Sequence, residues 1–479
     1  MTDLVLDKPR DNVRLLLLLA GCAVLLRFVW LGSFPEIVAD EGLWTNSSKN
    51  YVAFGDWFMD GRKHMLLSPV FHWLSVVVFK LDHPSIVSAR VISALAGVVS
   101  ILLLYILTWR VCERRDLAAI TAILFGFDAV SVLQSRLALV ESLQLCVCLA
   151  AGVLLVERWR GAAVAAGVVF GAALLTKVNA GFLLPVFIVF LLLRPASGAD
   201  QGRLASAREA GVFAVVSLLV AGLGYGALYA TFPREFVPAF AFQLDGVHFE
   251  EISHPIFRFG RFGLDPVQAS RTTIALFRES PFLMVLATCG AALSLVTRPR
   301  GVELFGPWLT VGVAFFLCQM FQPVRYFYLV SPAFAFFAAV ATDRLTGGLS
   351  DATLRRRMTA AVVGLYLLFN VGYVAMGLVA NRGGKLQQVV EWVRTHTQPR
   401  DRIMAAGYFC TDLPNRCYAH YSLARDMSQL EESIRKYSID YVIFDNGEWH
   451  HDLGDSLAQH FAPLEHWAFG TVYRVAPQP

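Results

Sequence analysis

Val38-Ala39-Asp40-Glu41-Gly42-Leu43-Trp44 places two adjacent carboxylates just beyond an apolar run at residues 15–31. A membrane-spanning helix needs about 20 mostly apolar residues, and the run is close to that length. Arg27 inside it and a poor small-residue cleavage pattern mark it as a retained anchor rather than a signal peptide. Outward from the pair, similar runs recur at 86–108, 117–133, 142–157, 161–176, 179–193, 210–231, 280–297, 302–321, 326–342 and 359–380. With the first, that makes about eleven spans. The composition agrees. Of 479 residues, 56% are hydrophobic and 16% charged, with a mean hydropathy of +0.54. Soluble proteins carry about 25% charged residues, so an ordinary cytosolic enzyme and a disordered chain are excluded. A net charge of +4, thinly spread, leaves no footprint for a nucleic acid. The expected fold class is an all-α polytopic membrane protein with a small C-terminal α/β domain.

Lys and Arg in short loops set the orientation. Lys8, Arg10 and Arg14 precede the first run, and basic loops follow at Arg110/Arg114/Arg115, Arg158/Arg160, Arg194/Arg203/Arg208, Arg298/Arg300 and Arg344 to Arg357. These share one side of the membrane if eleven helices are correct. The amino terminus is then cytoplasmic, and the carboxyl terminus lies outside a multi-pass cell-membrane protein. The expected division is a transmembrane module over 1–381 and a soluble extracytoplasmic domain over 382–479. Outer loops are expected at 32–85 and 232–279. The chemistry is expected on that outer side.

The tail has its own pattern. Lys385 to His396 has helical spacing, Arg402 to Gly407 and Tyr441 to Asp445 read as buried strands, Ser428 as an N-cap, and Ala468 to Val475 as an edge strand. Most of the eight cysteines sit in apolar runs, and Cys22, Cys112, Cys146, Cys148, Cys289 and Cys318 read as packing residues or free thiols. Cys410 and Cys417 flank a turn-rich stretch, and in an oxidising compartment a disulfide is expected there.

Beyond Asp40 and Glu41 come an amphipathic stretch (Thr45 to Phe54), Phe54-Gly55-Asp56-Trp57, Pro69-Val70-Phe71-His72-Trp73-Leu74 and Ala89-Arg90-Val91. The bland reading of the acidic pair is a helix cap by Asp40, which does not account for the second acid. Later come Ser135-Arg136-Leu137-Ala138-Leu139-Val140-Glu141, Leu175-Thr176-Lys177-Val178-Asn179-Ala180-Gly181 with Pro185, and Pro323-Val324-Arg325-Tyr326 with Pro332. In this order and spacing the chain resembles the GT-C class of membrane glycosyltransferases. Within it, the chain looks most like the protein mannosyltransferase and aminoarabinose transferase superfamily, well over about residues 30–340 and loosely in the tail. Glu141 stands where that family usually has Asp. Leu66-Leu67-Ser68-Pro69-Val70 replaces the Glu-Lys-Pro-Pro-Leu of aminoarabinose transferases, which argues against that sugar specificity.

The resemblance implies a sugar donor on a polyprenyl phosphate, drawn from the bilayer. The acceptor hydroxyl belongs to a glycolipid, a polysaccharide or a protein. Such a hydroxyl needs a carboxylate to take its proton, and Asp40 matches the family's catalytic Asp. The leaving group is already a phosphate, so one base suffices, with inversion at the sugar carbon. Glu41 is expected to orient the acceptor, tune its neighbour or hold a cation. Arg136, Lys177 and Arg325 sit at outer membrane edges, where a lone charge is expensive, and are expected to hold the departing phosphate. Snorkelling to headgroups is the bland alternative. Arg62 and Lys63 are secondary candidates for the phosphate. Glu141, Tyr326, His64 and Trp44 are candidates for substrate contact. Arg90 reads as a brace for the second span against an acidic neighbour.

The loop at 232–279 carries Asp245, His248, Glu250, Glu251 and His254 among phenylalanines. It reads as an aromatic lid. His248, His254 and Glu41 are weak candidates for a divalent metal (Mg, Mn or Zn), because no standard ligand spacing is present. Asn46-Ser47-Ser48 is a formal glycosylation sequon, discounted because it falls within an expected helix. Two other classes compete with the transferase: a flippase or transporter of polyprenyl-linked sugars, and a non-catalytic binding subunit. A transporter should place charges mid-span and show paired broken helices. Here the charges gather at one edge, the acidic pair lies in a loop, and no internal repeat is visible.

Overall fold

The computed structural model describes residues 9–57, 64–157, 159–194, 203–245, 256, 258–259, 262–319, 324–380, 384–419, 426–446 and 451–475. The chain divides into two units. One comprises 1–29, 93–136 and 140–377, and the other 30–92, 137–139 and 378–479. Residues 30–92 and 378–479 thus fall in one unit.

The first unit is helical. Among the described residues, three helices are long and apolar enough to cross a bilayer: Ile86–Cys112, which begins in the other unit, Leu204–Thr231 and the helix beginning at Ala352. The number becomes five if the pairs Arg115–Gly126 with Ala129–Ser135 (bent 63°) and Pro266–Glu279 with Pro281–Thr297 (bent 111°) each count as one span. The remaining expected spans appear mainly as shorter apolar helices such as Val140–Val156, Ala162–Thr176 and Val302–Leu317. At 1.5 Å per residue, 15 to 17 residues reach only about 25 Å, short of a hydrocarbon core of about 30 Å. Eleven hydropathy runs therefore do not translate into eleven full-length helices.

Aromatic stacking fills this unit's core, with Phe187 edge-on to both Phe170 and Trp308, and Phe305 stacked on Phe336. Helix Ala162–Thr176 is rich in Ala and Gly, which lets it lie close to helix Arg203–Thr231. A Cβ at Gly171 would stand 2.5 Å from Val220. Small residues at such crossings let backbones approach where lipid offers no hydrophobic drive.

In the second unit, helices Ala39–Phe54 and Pro69–Leu81 accompany the tail. The tail holds a five-stranded sheet in the order Cys417–Ala419, Ile403–Ala405, Tyr441–Asp445, Gly470–Arg474, Pro463–Trp467. The first three strands are parallel, with Ile403 opposite both Cys417 and Tyr441, and the last two run antiparallel. Gly470–Arg474 is buried and interior, where an edge was expected. The edge on that side is Pro463–Trp467, which is mostly exposed. Helix Met427–Tyr437 is capped by Asp426, which accepts from the Gln429 N–H at 2.9 Å, in place of the expected Ser428. Cys410 and Cys417 are joined as a disulfide, with Cα atoms 5.1 Å apart.

Candidate active site

The two adjacent acids do different things. Helix Ala39–Phe54 begins one residue before Asp40, so neither acid is the N-cap. Glu41, in the third helical position, reaches back and accepts from the Val38 N–H at 3.1 Å. That half of a capping box satisfies one of the helix's orphan donors. Its Oε1 also accepts from Arg90 Nε at 2.8 Å and from the Ala138 N–H at 2.6 Å, and its Oε2 accepts from Arg90 Nη2 at 2.8 Å. Both side chains are wholly inaccessible to solvent. Arg90 Nη1 donates to the Leu31 carbonyl at 2.8 Å. Glu41 is therefore a structural pin, with both oxygens engaged and no room for the acceptor or cation expected of it. Arg90 is the brace that was expected, and Glu41 is its acid. Asp40 is partly buried beside this pin, in the first helical turn. There the helix dipole favours a carboxylate.

The tail's disulfide-closed segment grips the same helix. A Cβ at Gly42 would stand 1.8 Å from the Gly407 carbonyl oxygen, so only glycine allows the two backbones to meet. Thr45 Oγ1 lies 2.6 Å from Thr411 Oγ1, and Asn46 Nδ2 donates to the Cys417 carbonyl at 3.3 Å. Lys49 Nζ donates to the Asn415 carbonyl and lies 5.1 Å above the Phe54 ring. Gly42, Thr45, Asn46 and Lys49 follow helical spacing, so one face of the Asp40 helix is fastened along two turns. Asp412 accepts from the Ile86 N–H at 3.0 Å. Burial pushes the Lys49 amine down to about 7, helped by the Arg416 charge and opposed by Asp412. Burial raises the Asp412 carboxyl to about 6, opposed by the Ile86 N–H and reinforced by the Glu41 charge. The Asn46 amide, its Nδ2 tied to the tail and its side chain buried, is no glycan acceptor in the folded chain.

The other unit assembles a second charged group. Glu141 stands in the first turn of helix Val140–Val156 and accepts from Lys177 Nζ at 2.7 Å. Lys177 occupies the extended break between helix Ala162–Thr176 and the 3-10 turn Val178–Phe182, which frees its side chain from either helix. Its Nζ lies 4.6 Å from the centre of the Tyr326 ring, and the Arg325 guanidinium is 5.7 Å from the same ring. Four residues far apart in sequence thus meet: Glu141, Lys177, Arg325 and Tyr326. Glu141 Oε2 has no hydrogen-bond donor among the described residues.

Arg136 behaves differently from this group. It is fully buried and donates to the carbonyls of Leu26 at 2.5 Å and Val29 at 2.8 Å, at and beyond the last turn of helix Pro9–Phe28. Orphan carbonyls and the negative end of the dipole account for a cation there. Its geometry is that of a C-terminal brace rather than a phosphate ligand. Trp44 is buried, its ring 6.4 Å from His72, and belongs to the packing of the Asp40 helix. Arg62, Lys63, His248, Glu250, Glu251 and His254 lie outside the described residues, as do the side chains of His64 and Asp245. Among the described residues no group of three His, Cys, Asp or Glu is placed to hold a metal ion.

Comparison with known proteins agrees with this architecture. Residues 67–234 match the family model described as dolichyl-phosphate-mannose-protein mannosyltransferase. The structure is similar to that of ArnT from Cupriavidus metallidurans bound to undecaprenyl phosphate, with a TM-score of 0.69 at 15% identity, covering 98% of each chain. It is also similar to the archaeal oligosaccharyltransferase AglB from Archaeoglobus fulgidus in complex with an inhibitory peptide and a dolichol-phosphate. There the TM-score is 0.55 at 15% identity, over 91% of this chain and 69% of that one. A third, the arabinofuranosyltransferase AftD from mycobacteria, gives 0.54 at 14% identity over 96% of this chain but 41% of that one. No curated protein sequence matches. The chain shares the fold of these transferase structures, and its apolar helices and the partial family match agree with a multi-pass membrane protein.

Proposed function

We propose that the protein transfers a sugar from a polyprenyl phosphate to an acceptor hydroxyl on the extracytoplasmic face, with Asp40 as general base. The observation that carries this is the division of labour in the acidic pair. Glu41 is fully engaged by Arg90 and two backbone N–H groups, while Asp40 is only partly buried, on a helix held rigid by that engagement. A base must be fixed in position and reachable, and Asp40 meets both needs. In the step, the Asp40 carboxylate takes the acceptor O–H proton as the oxygen attacks the anomeric carbon. The bond from that carbon to the phosphate oxygen breaks, its electron pair leaves with the phosphate, and the configuration inverts.

The growing charge on the departing phosphate calls for cations. Lys177 and Arg325 are the ones we assign, beside Tyr326, with Glu141 holding Lys177 in place. Arg136 is withdrawn from that role by its carbonyl partners. The polyprenyl phosphates named for the neighbouring ArnT and AglB structures support this class of donor. The reading keeps an inner amino terminus and an outer tail in the cell membrane. The acceptor class stays as wide as glycolipid, polysaccharide or protein.

The test is transfer by purified protein supplied with polyprenyl-phosphate sugars and envelope extracts. Product with the inverted anomer, lost in Asp40→Asn, is expected. Turnover with a soluble nucleotide sugar in place of the lipid donor would overturn the reading.

A further inference from the structure

The second unit contains a cavity of about 550 Å³, within the range of small-molecule sites. One wall is residues 32–37, which run directly into the Asp40 helix; the others come from the tail. Ser33, Glu36, Lys385, Gln387, Tyr408, Asp412 and Asp445 bring polar side chains to its lining. Three of these seven are carboxylic acids and one is a cation. Asp445 is 1% exposed and accepts from the Tyr408 hydroxyl, so one acid is fixed at depth. Glu36 lies at the exposed rim, 3.6 Å from Lys385 Nζ. Asp412 is tied to the Ile86 N–H and feels the charge of Glu41, which makes this wall continuous with the pinned acid beside Asp40. Ile37 and Val390 add aliphatic surface for the C–H face of a ring.

An excess of carboxylates repels phosphate, so this cavity is unsuited to the donor's charged group. Carboxylates and hydroxyls together suit a ligand with several hydroxyls and a positive charge. We infer that this cavity is an acceptor subsite that takes an amine-bearing, hydroxyl-rich group, an amino sugar in chemical class. The inference rests on the transferase reading given above. It extends that reading by assigning the tail to recognition of the acceptor next to the base.

Binding can be read apart from transfer. The probes are methyl glucosaminide (cationic), methyl glucoside (neutral) and glucose 1-phosphate (anionic). Each is titrated onto purified full-length protein by saturation-transfer NMR. The cationic probe should bind about fivefold more tightly than the neutral one, the gain of an exposed ion pair, with the phosphate weakest. Asp445→Asn should remove most of that preference. Because Asp445 is buried and could disturb folding, the rim supplies a second pair of variants. Glu36→Gln should weaken the cationic probe and Lys385→Ala should strengthen it. Tightest binding by the phosphate, a preference untouched by the rim variants, or no saturable binding by any probe would each overturn the subsite. Asp40→Asn should bind the probes as the parent does. Failure of the base assignment would therefore show in transfer alone, and failure of the subsite in binding alone.

Discussion

Glu41 and Glu141 are both buried carboxylates facing a cation, and they are held in opposite ways. Glu41 meets Arg90 through two parallel 2.8 Å bonds, takes two backbone N–H groups besides, and neither side chain touches solvent. Glu141 meets Lys177 through a single 2.7 Å contact, its second oxygen accepts nothing among the described residues, and Lys177 is 13% exposed. A forked guanidinium on a carboxylate fixes geometry, whereas an ammonium is a point charge on a flexible stem that can change partners. The closed pair is suited to hold a helix. The open pair is suited to exchange one anion for another when a phosphate arrives.

The largest expected effect comes from opening the closed pair. Arg90→Ala leaves Glu41 buried and unpaired, and should cost about 3–5 kcal/mol of stability. In a thermal melt of detergent-purified protein this would appear as a large fall in midpoint or loss of folded material. Glu41→Leu combined with Arg90→Met should recover most of it, because the packed volume returns without a stranded charge. The open pair should respond mainly in activity. Lys177→Ala should lower transfer by about 10²–10³-fold, and, because it strands the buried Glu141 beside Arg325 alone, should also lower the melting midpoint, by less than Arg90→Ala does. Arg325→Ala should act in the same direction, raising the donor KM more than the acceptor KM.

Arg136→Ala should resemble the closed pair in kind but not in size. Leaving helix-end carbonyls unmet costs about 1–3 kcal/mol, so a lower midpoint with an unchanged donor KM is expected. A pH slope gives a separate check. Burial pushes the Lys49 amine down to about 7, from an ordinary value of 10.5. Between those values the unfolded chain holds a proton that the folded chain has released, so stability should rise with pH across that window. Lys49→Met should flatten the slope, as checked by melts from pH 6.5 to 10.

Much of this contrast was legible in the residues. The acidic pair after the first apolar run marked the helix that matters, and the order of Glu141, Lys177 and Arg325-Tyr326 marked the group they form. Which acid is sealed was not legible. That depends on a guanidinium 49 residues on and a backbone N–H 97 residues on, and helical spacing reports neither. Arg136 read as a phosphate ligand because an edge cation and a helix-end brace look alike until the carbonyls are in place. The grip of the tail on Gly42, Thr45, Asn46 and Lys49 was hidden for the same reason. The four residues share a helical face, but the partners on residues 407–417 are supplied by the fold. Runs of hydropathy likewise counted apolar segments, while bends and short helices depend on packing.

The central claim is that the two neighbouring acids divide structure from chemistry. Asp40→Asn and Glu41→Gln, purified side by side, test it through melting midpoint and single-turnover sugar transfer. Asp40→Asn should melt like the parent and transfer nothing measurable, whereas Glu41→Gln should melt far lower. Retained single-turnover transfer in Asp40→Asn, or a Glu41→Gln protein that melts like the parent yet transfers nothing, would contradict it.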